Sequence, residues 1–132
     1  MRYNKQLRRA QRAIFDKAIS EDPQGLFVPS DFAGRDNDVH QTRYLMDGDT
    51  CIAGIVIETF DGMSIKRVFV TAAFRGREVC KKIVADVADT ARSNGEEALF
   101  VQWTPESRAY WERRGFSAVP AGDRNDFGAT RL

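Results

Sequence analysis

What the chain is short of narrows the field before any motif is read. It has 132 residues, two cysteines, one histidine, four prolines and a formal net charge of +1. Cys51 lies in an apolar run and Cys80 in a helical one, and neither has a Cys or His at ligand spacing. Both read as buried free thiols, and no metal site is expected. A balance so close to neutrality gives no bulk attraction to nucleic acid or to a membrane surface. No apolar stretch approaches the roughly 20 residues of a membrane span. Met1-Arg2-Tyr3-Asn4-Lys5 leads into a polar helix rather than a secretory signal, so the expected location is the cytoplasm. No Pro-, Gly- or Ser-rich linker interrupts the chain, and its length suffices for an ordinary core, so a single domain over 1–132 is expected.

What is present is a change of hydrophobic period along the chain. Leu7, Ala10, Ile14 and Ala18 recur at helical spacing, and Pro23 and Gly25 stop that helix. The face opposite carries Lys5, Arg8, Arg9 and Arg12, which read as a solvated face rather than a nucleic-acid contact. Residues 29–38 are polar and loop-like, with a turn at Ser30, and are a candidate part of an acceptor site. Val39 to Met46 and Thr50 to Phe60 read as strands joined across Asp47-Gly48-Asp49, and Asp61-Gly62 turns the chain into a third strand, Met63 to Val70. The stripe Val79, Cys80, Ile83, Val84, Val87, Ala88, Ala91 predicts an amphipathic helix closed by Asn94-Gly95. Glu97 to Trp103 returns as a strand, Thr104-Pro105 opens a short helix ended by Gly115, and Phe127 to Leu132 predicts a last strand. A meander followed by alternating helices and strands makes the chain α+β.

The informative junction is the one between the third strand and the amphipathic helix, Phe74-Arg75-Gly76-Arg77-Glu78-Val79-Cys80. Free amides and a partial positive charge at a helix start can hold a pyrophosphate when the entering loop comes close. The spacing of Val70, Ala72, Phe74, Arg75 and Gly76, followed after a helix and a strand by Tyr110-Trp111-Glu112-Arg113-Arg114-Gly115-Phe116, resembles the GCN5-related N-acetyltransferase (GNAT) family. In that family a strand ending V-x-P-x-Y-R-G leads into an R-x-x-G-x-G/A loop, and a later F-Y-x-x-x-G-F segment closes the site. The order is followed from Ile65 to Phe116, roughly half of the chain.

The resemblance implies a central mixed sheet flanked by helices, with the first strand missing or minimal because the helix begins almost at Met1. Short divergent members, including ones encoded by bacteriophages, look similarly trimmed. It also implies acetyl-coenzyme A as co-substrate, no metal, and an amine acceptor that is a small molecule or a protein. The backbone of Phe69 and Val70 would pair with the pantetheine arm, and Arg75, Gly76, Arg77, Glu78, Val79, Cys80 and Lys81 would surround the pyrophosphate, with Thr104 where the family has Asn. Further departures stand in this region. Glu78 and Cys80 replace small residues, Ala72 stands where the family often has Pro, and Trp111 replaces the Tyr that usually protonates the leaving thiolate.

A carboxylate about 5 Å from one phosphate charge costs about 3 kcal/mol at an effective dielectric near 20, so Glu78 either swings to solvent or weakens donor binding. Tyr110 is the candidate acid, or faces the core, since one residue turns a helical side chain by about 100°. Glu58 is the candidate base, or a solvated strand end. His40 reads as a surface or hydrogen-bonded residue. Trp111 reads as packing on Phe116. Two functions remain open at this point: an acetyl-coenzyme A dependent N-acetyltransferase, and a non-catalytic module of the same fold that binds a protein partner through a degenerate coenzyme A site.

Overall fold

The structure is a computed structural model that describes residues 1–119 and 126–132. Seven strands form one mixed sheet in the order β1-β2-β3-β4-β5-β7-β6. They are β1 (Arg2–Asn4), β2 (His40–Asp47), β3 (Thr50–Glu58), β4 (Met63–Val70), β5 (Ala98–Gln102), β6 (Ser117–Ala118) and β7 (Phe127–Arg131). The helices are α1 (Arg9–Ser20), α2 (Val79–Ser93) and α3 (Arg108–Arg113). The predicted meander is present as the antiparallel set β2, β3 and β4. The first strand is minimal, one of the two expected alternatives: the three residues of β1 pair antiparallel with β2, the Tyr3 hydroxyl donates to Asp86 Oδ2 on α2 at 2.6 Å, and the first helix starts at Arg9 instead of almost at Met1. The tail strand β7 lies between β5 and β6. No helix among the described residues is long and apolar enough to cross a membrane.

Each face of the sheet buries its own core. On one face, Leu45, Ile52, Ile55, Ile57 and Ile65 meet the α2 stripe Val79, Ile83, Val87, Ala88 and Ala91, and Trp103, Trp111 and Phe116 extend the cluster. On the other, α1 sets Phe15 and Ile19 on Tyr44, Met46, Cys51, Val56 and Phe69, and Phe32 joins from the 3-10 turn Pro29–Phe32. The predicted stripe of α1 is therefore rotated. Phe15 and Ile19 are buried, whereas Ile14 is 66% exposed. The reason is a hole in the sheet. Gly54 has no side chain, and a Cβ there would come within 2.9 Å of both the Phe15 and Phe32 rings. Arg12 is turned inward with this face, donating to the Phe32 carbonyl at 2.7 Å and the Tyr44 hydroxyl at 3.0 Å, so it is not part of a solvated basic face. Asp16 Oδ1 accepts no well-aligned hydrogen bond but lies 3.2 Å from Arg12 Nε, and that ion pair is its compensation.

The strand pairings also make a gap. β4 runs parallel to β5, yet their register covers only Met63↔Leu99, Ser64↔Phe100 and Ile65↔Val101, while β4 continues to Val70. On its other side β4 has a bulge: Ile57 pairs with Ile65 and Val56 with Arg67, leaving Lys66 as the extra residue. A bulge bends its strand and adds local twist. Here the bend falls where the partnership with β5 stops, so beyond Lys66 the two strands separate.

Candidate active site

The separation opens a cavity of about 610 Å³ whose wall is the free stretch of β4. Phe69 and Val70 both line it, Phe69 with its ring turned into the α1-side core. At the far end of that wall the chain passes through a 3-10 turn, Ala72–Phe74, into the turn that opens α2. Gly76 has φ +77 and Glu78 has φ +59, both left-handed. Glu78 is thus the residue preceding α2, not a member of its first turn, and no side chain caps the helix. The left-handed conformation explains why a small residue suits this position. For any L side chain other than Gly it costs about 1–2 kcal/mol, somewhat less for Asn or Asp. Gly76, Glu78, Val79, Cys80 and Lys81 line the cavity, and Arg77 does not; its guanidinium sits 5.2 Å over the Phe74 ring.

Arg75 is not a free cation. Its Nη1 donates to Asp22 Oδ1 at 2.7 Å and its Nε to the Val70 carbonyl at 3.0 Å, and it lies 5.4 Å over the Phe69 ring. The Asp22 side chain is 4% exposed, and the bond from Arg75 holds its carboxyl below the usual range. Nothing in the sequence marks this pair, because Asp22 stands 53 positions away in the turn after α1. Lys82 is engaged with Asp86 at 2.8 Å, so of the two neighbouring lysines only Lys81 faces the cavity.

The third wall comes from the segment around α3. Thr104 lines the cavity, but its hydroxyl is tied into the turn: Oγ1 accepts from the Ser107 amide and donates to Ser107 Oγ, both at 3.2 Å, and the helix proper begins at Arg108. Trp111 packs edge-on against Phe116 at 5.5 Å. Tyr110 is half-buried in the cavity wall beside the Cys80 thiol, and Arg114 lies 4.7 Å over its ring. Burial first, then the Cys80 contact, pushes the Tyr110 phenol up to about 12. Burial also raises the Cys80 thiol, so neither group is ionised at neutral pH.

Glu58 has no place in this cavity. It ends β3 opposite His40 and Ser64, at the paired end of β4. His40 is likewise absent from the lining; its Nε2 lies 3.4 Å from Lys66 Nζ, which does line it. The structure brings the donor-loop residues, Thr104 and Tyr110 together and leaves out Arg77 and Glu58. The sequence reading missed the bulge residues Lys66 and Arg67 and the Asp22–Arg75 bond.

A seven-stranded mixed sheet split between β4 and β5, with a helix start pointing into the split, is the architecture of acyl-coenzyme A N-acyltransferases. The acetyltransferase (GNAT) domain matches residues 17–128, and this chain belongs to that family. The fold is shared with an acetyltransferase of the GNAT family from Staphylococcus aureus, at 14% identity and TM-score 0.72, covering 99% of this chain and 98% of the other. It is shared with the ribosomal-protein-S18-alanine N-acetyltransferase from Escherichia coli at 12% identity and TM-score 0.71, covering 99% and 93%. It also resembles the PaiA N-acetyltransferase of Thermoplasma acidophilum, solved with coenzyme A, at 8% identity and TM-score 0.60, covering 71% and 62%. Comparison with curated proteins returns no match.

Proposed function

We propose that this chain transfers the acetyl group of acetyl-coenzyme A to an amine. The observation that carries the reading is the continuity of one cavity from the unpaired stretch of β4 to the uncapped start of α2. An extended pantetheine can take strand-like hydrogen bonds along the first, and a pyrophosphate can meet backbone amides and the positive end of the helix at the second. The two left-handed residues, Gly76 and Glu78, turn the loop so that it closes on that helix start. In the reaction the amine nitrogen attacks the thioester carbonyl, a C–N bond forms, the C–S bond breaks, and the amine proton leaves to water. The thiolate takes a proton from Tyr110 or from solvent. Tyr110 is suited by being protonated and inside the cavity, and to act it must turn from the Cys80 thiol toward the leaving sulfur.

The test is titration of the protein with acetyl-coenzyme A. Binding to the native state stabilises it by about 2.7 kcal/mol at a hundredfold excess over the dissociation constant. No shift in unfolding temperature at millimolar ligand overturns the donor site. Given an acceptor, Tyr110→Phe is expected to lower kcat by about a hundredfold if its proton is used. Full retention of activity moves the proton source to solvent.

A further inference from the structure

The cavity distributes its charges unevenly along β4. Its carboxylates, among the described residues, are Asp22 and Glu78, the first bound to Arg75 and the second at the start of α2. Both belong to the donor end. At the other end, the bulge sets Lys66 and Arg67 side by side in the lining. Lys66 Nζ has His40 as neighbour at 3.4 Å and no carboxylate partner among the described residues. Arg67 donates to the Asp31 carbonyl oxygen at 3.3 Å and reaches the Asp31 carboxylate only at 4.0 Å, with a third of its side chain still exposed. Four residues of strand separate Lys66 from Val70, about 13 Å, which exceeds a Debye length at physiological ionic strength. The two cations therefore do not serve the pyrophosphate. Leu26 and Phe27 add an apolar part to the same lining, Leu26 being 66% exposed.

Among the described residues no imidazole or carboxylate lines this end, since His40, Glu58 and Asp31 all lie outside the lining. An acceptor that reacts here must arrive partly neutral. A peptide α-amine, with an ordinary pKa near 7.7–8.0, is roughly one-third neutral at pH 7.5, whereas a lysine side chain near 10.4 is neutral about one time in a thousand. Two adjacent cations further disfavour an ammonium and favour a carboxylate beside it.

Resting on the acetyltransferase reading, we propose that the acceptor is the free α-amine of a peptide whose first residues carry an acidic side chain, held by Lys66 and Arg67. The α-nitrogen takes the acetyl group, and the peptide carboxylate fixes its position without taking part in bond making.

The experiment measures acetylation, by thiol release and mass, on short peptides that differ at their first two positions: Asp or Glu, Asn or Gln, and Lys. A further peptide has a blocked α-amine and an internal lysine. The acidic peptides are expected to react at least tenfold faster in kcat/KM than their amide counterparts. Lys66→Met and Arg67→Met should each erase that preference, and Lys66→Glu should invert it. Acetyl-coenzyme A titration of each variant should give an unchanged dissociation constant, which separates loss of acceptor recognition from loss of fold. Equal rates, a preference for the basic peptide, acetylation of the internal lysine alone, or reaction of small amines but of no peptide overturns the proposal and leaves the transferase reading standing. Failure of acetyl-coenzyme A to bind the parent protein removes both.

Discussion

At the scale of single residues, the most consequential position is Glu78. The sequence shows a carboxylate where the resembled pattern has a small residue, and from that alone the cost is electrostatic. The backbone adds a second cost, because the residue sits at φ +59 with an exposed side chain. Glu78→Gly should therefore stabilise the protein by about 1 kcal/mol, since it relieves a left-handed conformation outside the helix interior. It should also tighten acetyl-coenzyme A binding by removing a charge from the phosphate end. Chemical denaturation and ligand titration read the two effects separately. A destabilised variant would show that the Glu78 side chain helps to hold the loop. Tyr110 illustrates a different limit. Its presence near the site was legible from the spacing to Gly115-Phe116, but its closeness to Cys80 was not, because a helix start and a later helix meet only in three dimensions.

At the scale of elements, periodicity identified α2, β4 and the meander because each buries one continuous face. It misplaced the face of α1. Ile14 and Phe15 are both apolar, and which of them turns inward is settled by the partner surface, where Gly54 leaves room for two aromatic rings. Gly54→Ala should cost about 1–3 kcal/mol by overpacking against Phe15 and Phe32. Urea unfolding measures it, and a neutral result would mean that α1 shifts outward without loss. The same argument places β7. Gly128 lies where a Cβ would come within 2.3 Å of the Trp103 ring, so the indole covers the strand at that point. A lone Gly in a five-residue tail does not announce which strand it will join. Glu58 falls on the strand-end alternative for a related reason: a strand's length says nothing about which of its ends borders a gap, and the gap follows from the bulge at Lys66.

At the scale of the whole molecule, buried groups that must stay neutral set an alkaline limit on stability. Burial pushes the Cys51 thiol from its ordinary 9.0 up to about 12, and the Tyr110 phenol from 10.0 up to about 12. In both cases the folded value is above the unfolded one. Their contribution to stability is complete below the unfolded value and is lost as pH rises toward the folded one. Unfolding temperature, followed from pH 7 to 11, should hold level to about pH 9 and then fall. Cys51→Ala should make that fall shallower while leaving its onset near pH 9, because the Cys80 thiol is also raised by burial, with Tyr110 adding from about pH 10. An unchanged slope would assign the loss to other groups.

The three paired residues that join β4 to β5 have a mechanical consequence. The pairing Met63–Ile65 with Leu99–Val101 is the one strand contact, among the described residues, between the meander and the three-stranded remainder of the sheet. It is a short spine with a long arm: from Ile65 to Val70 the strand, paired to β3 but no longer to β5, extends about 16 Å. Over that length a tilt of about 3° at the spine moves the tip by about 1 Å, a fraction of a hydrogen-bond length per degree. A thin occupant near the tip therefore acts on the angle between the two halves at the end of a lever about 16 Å long, against the core that α2 packs across both.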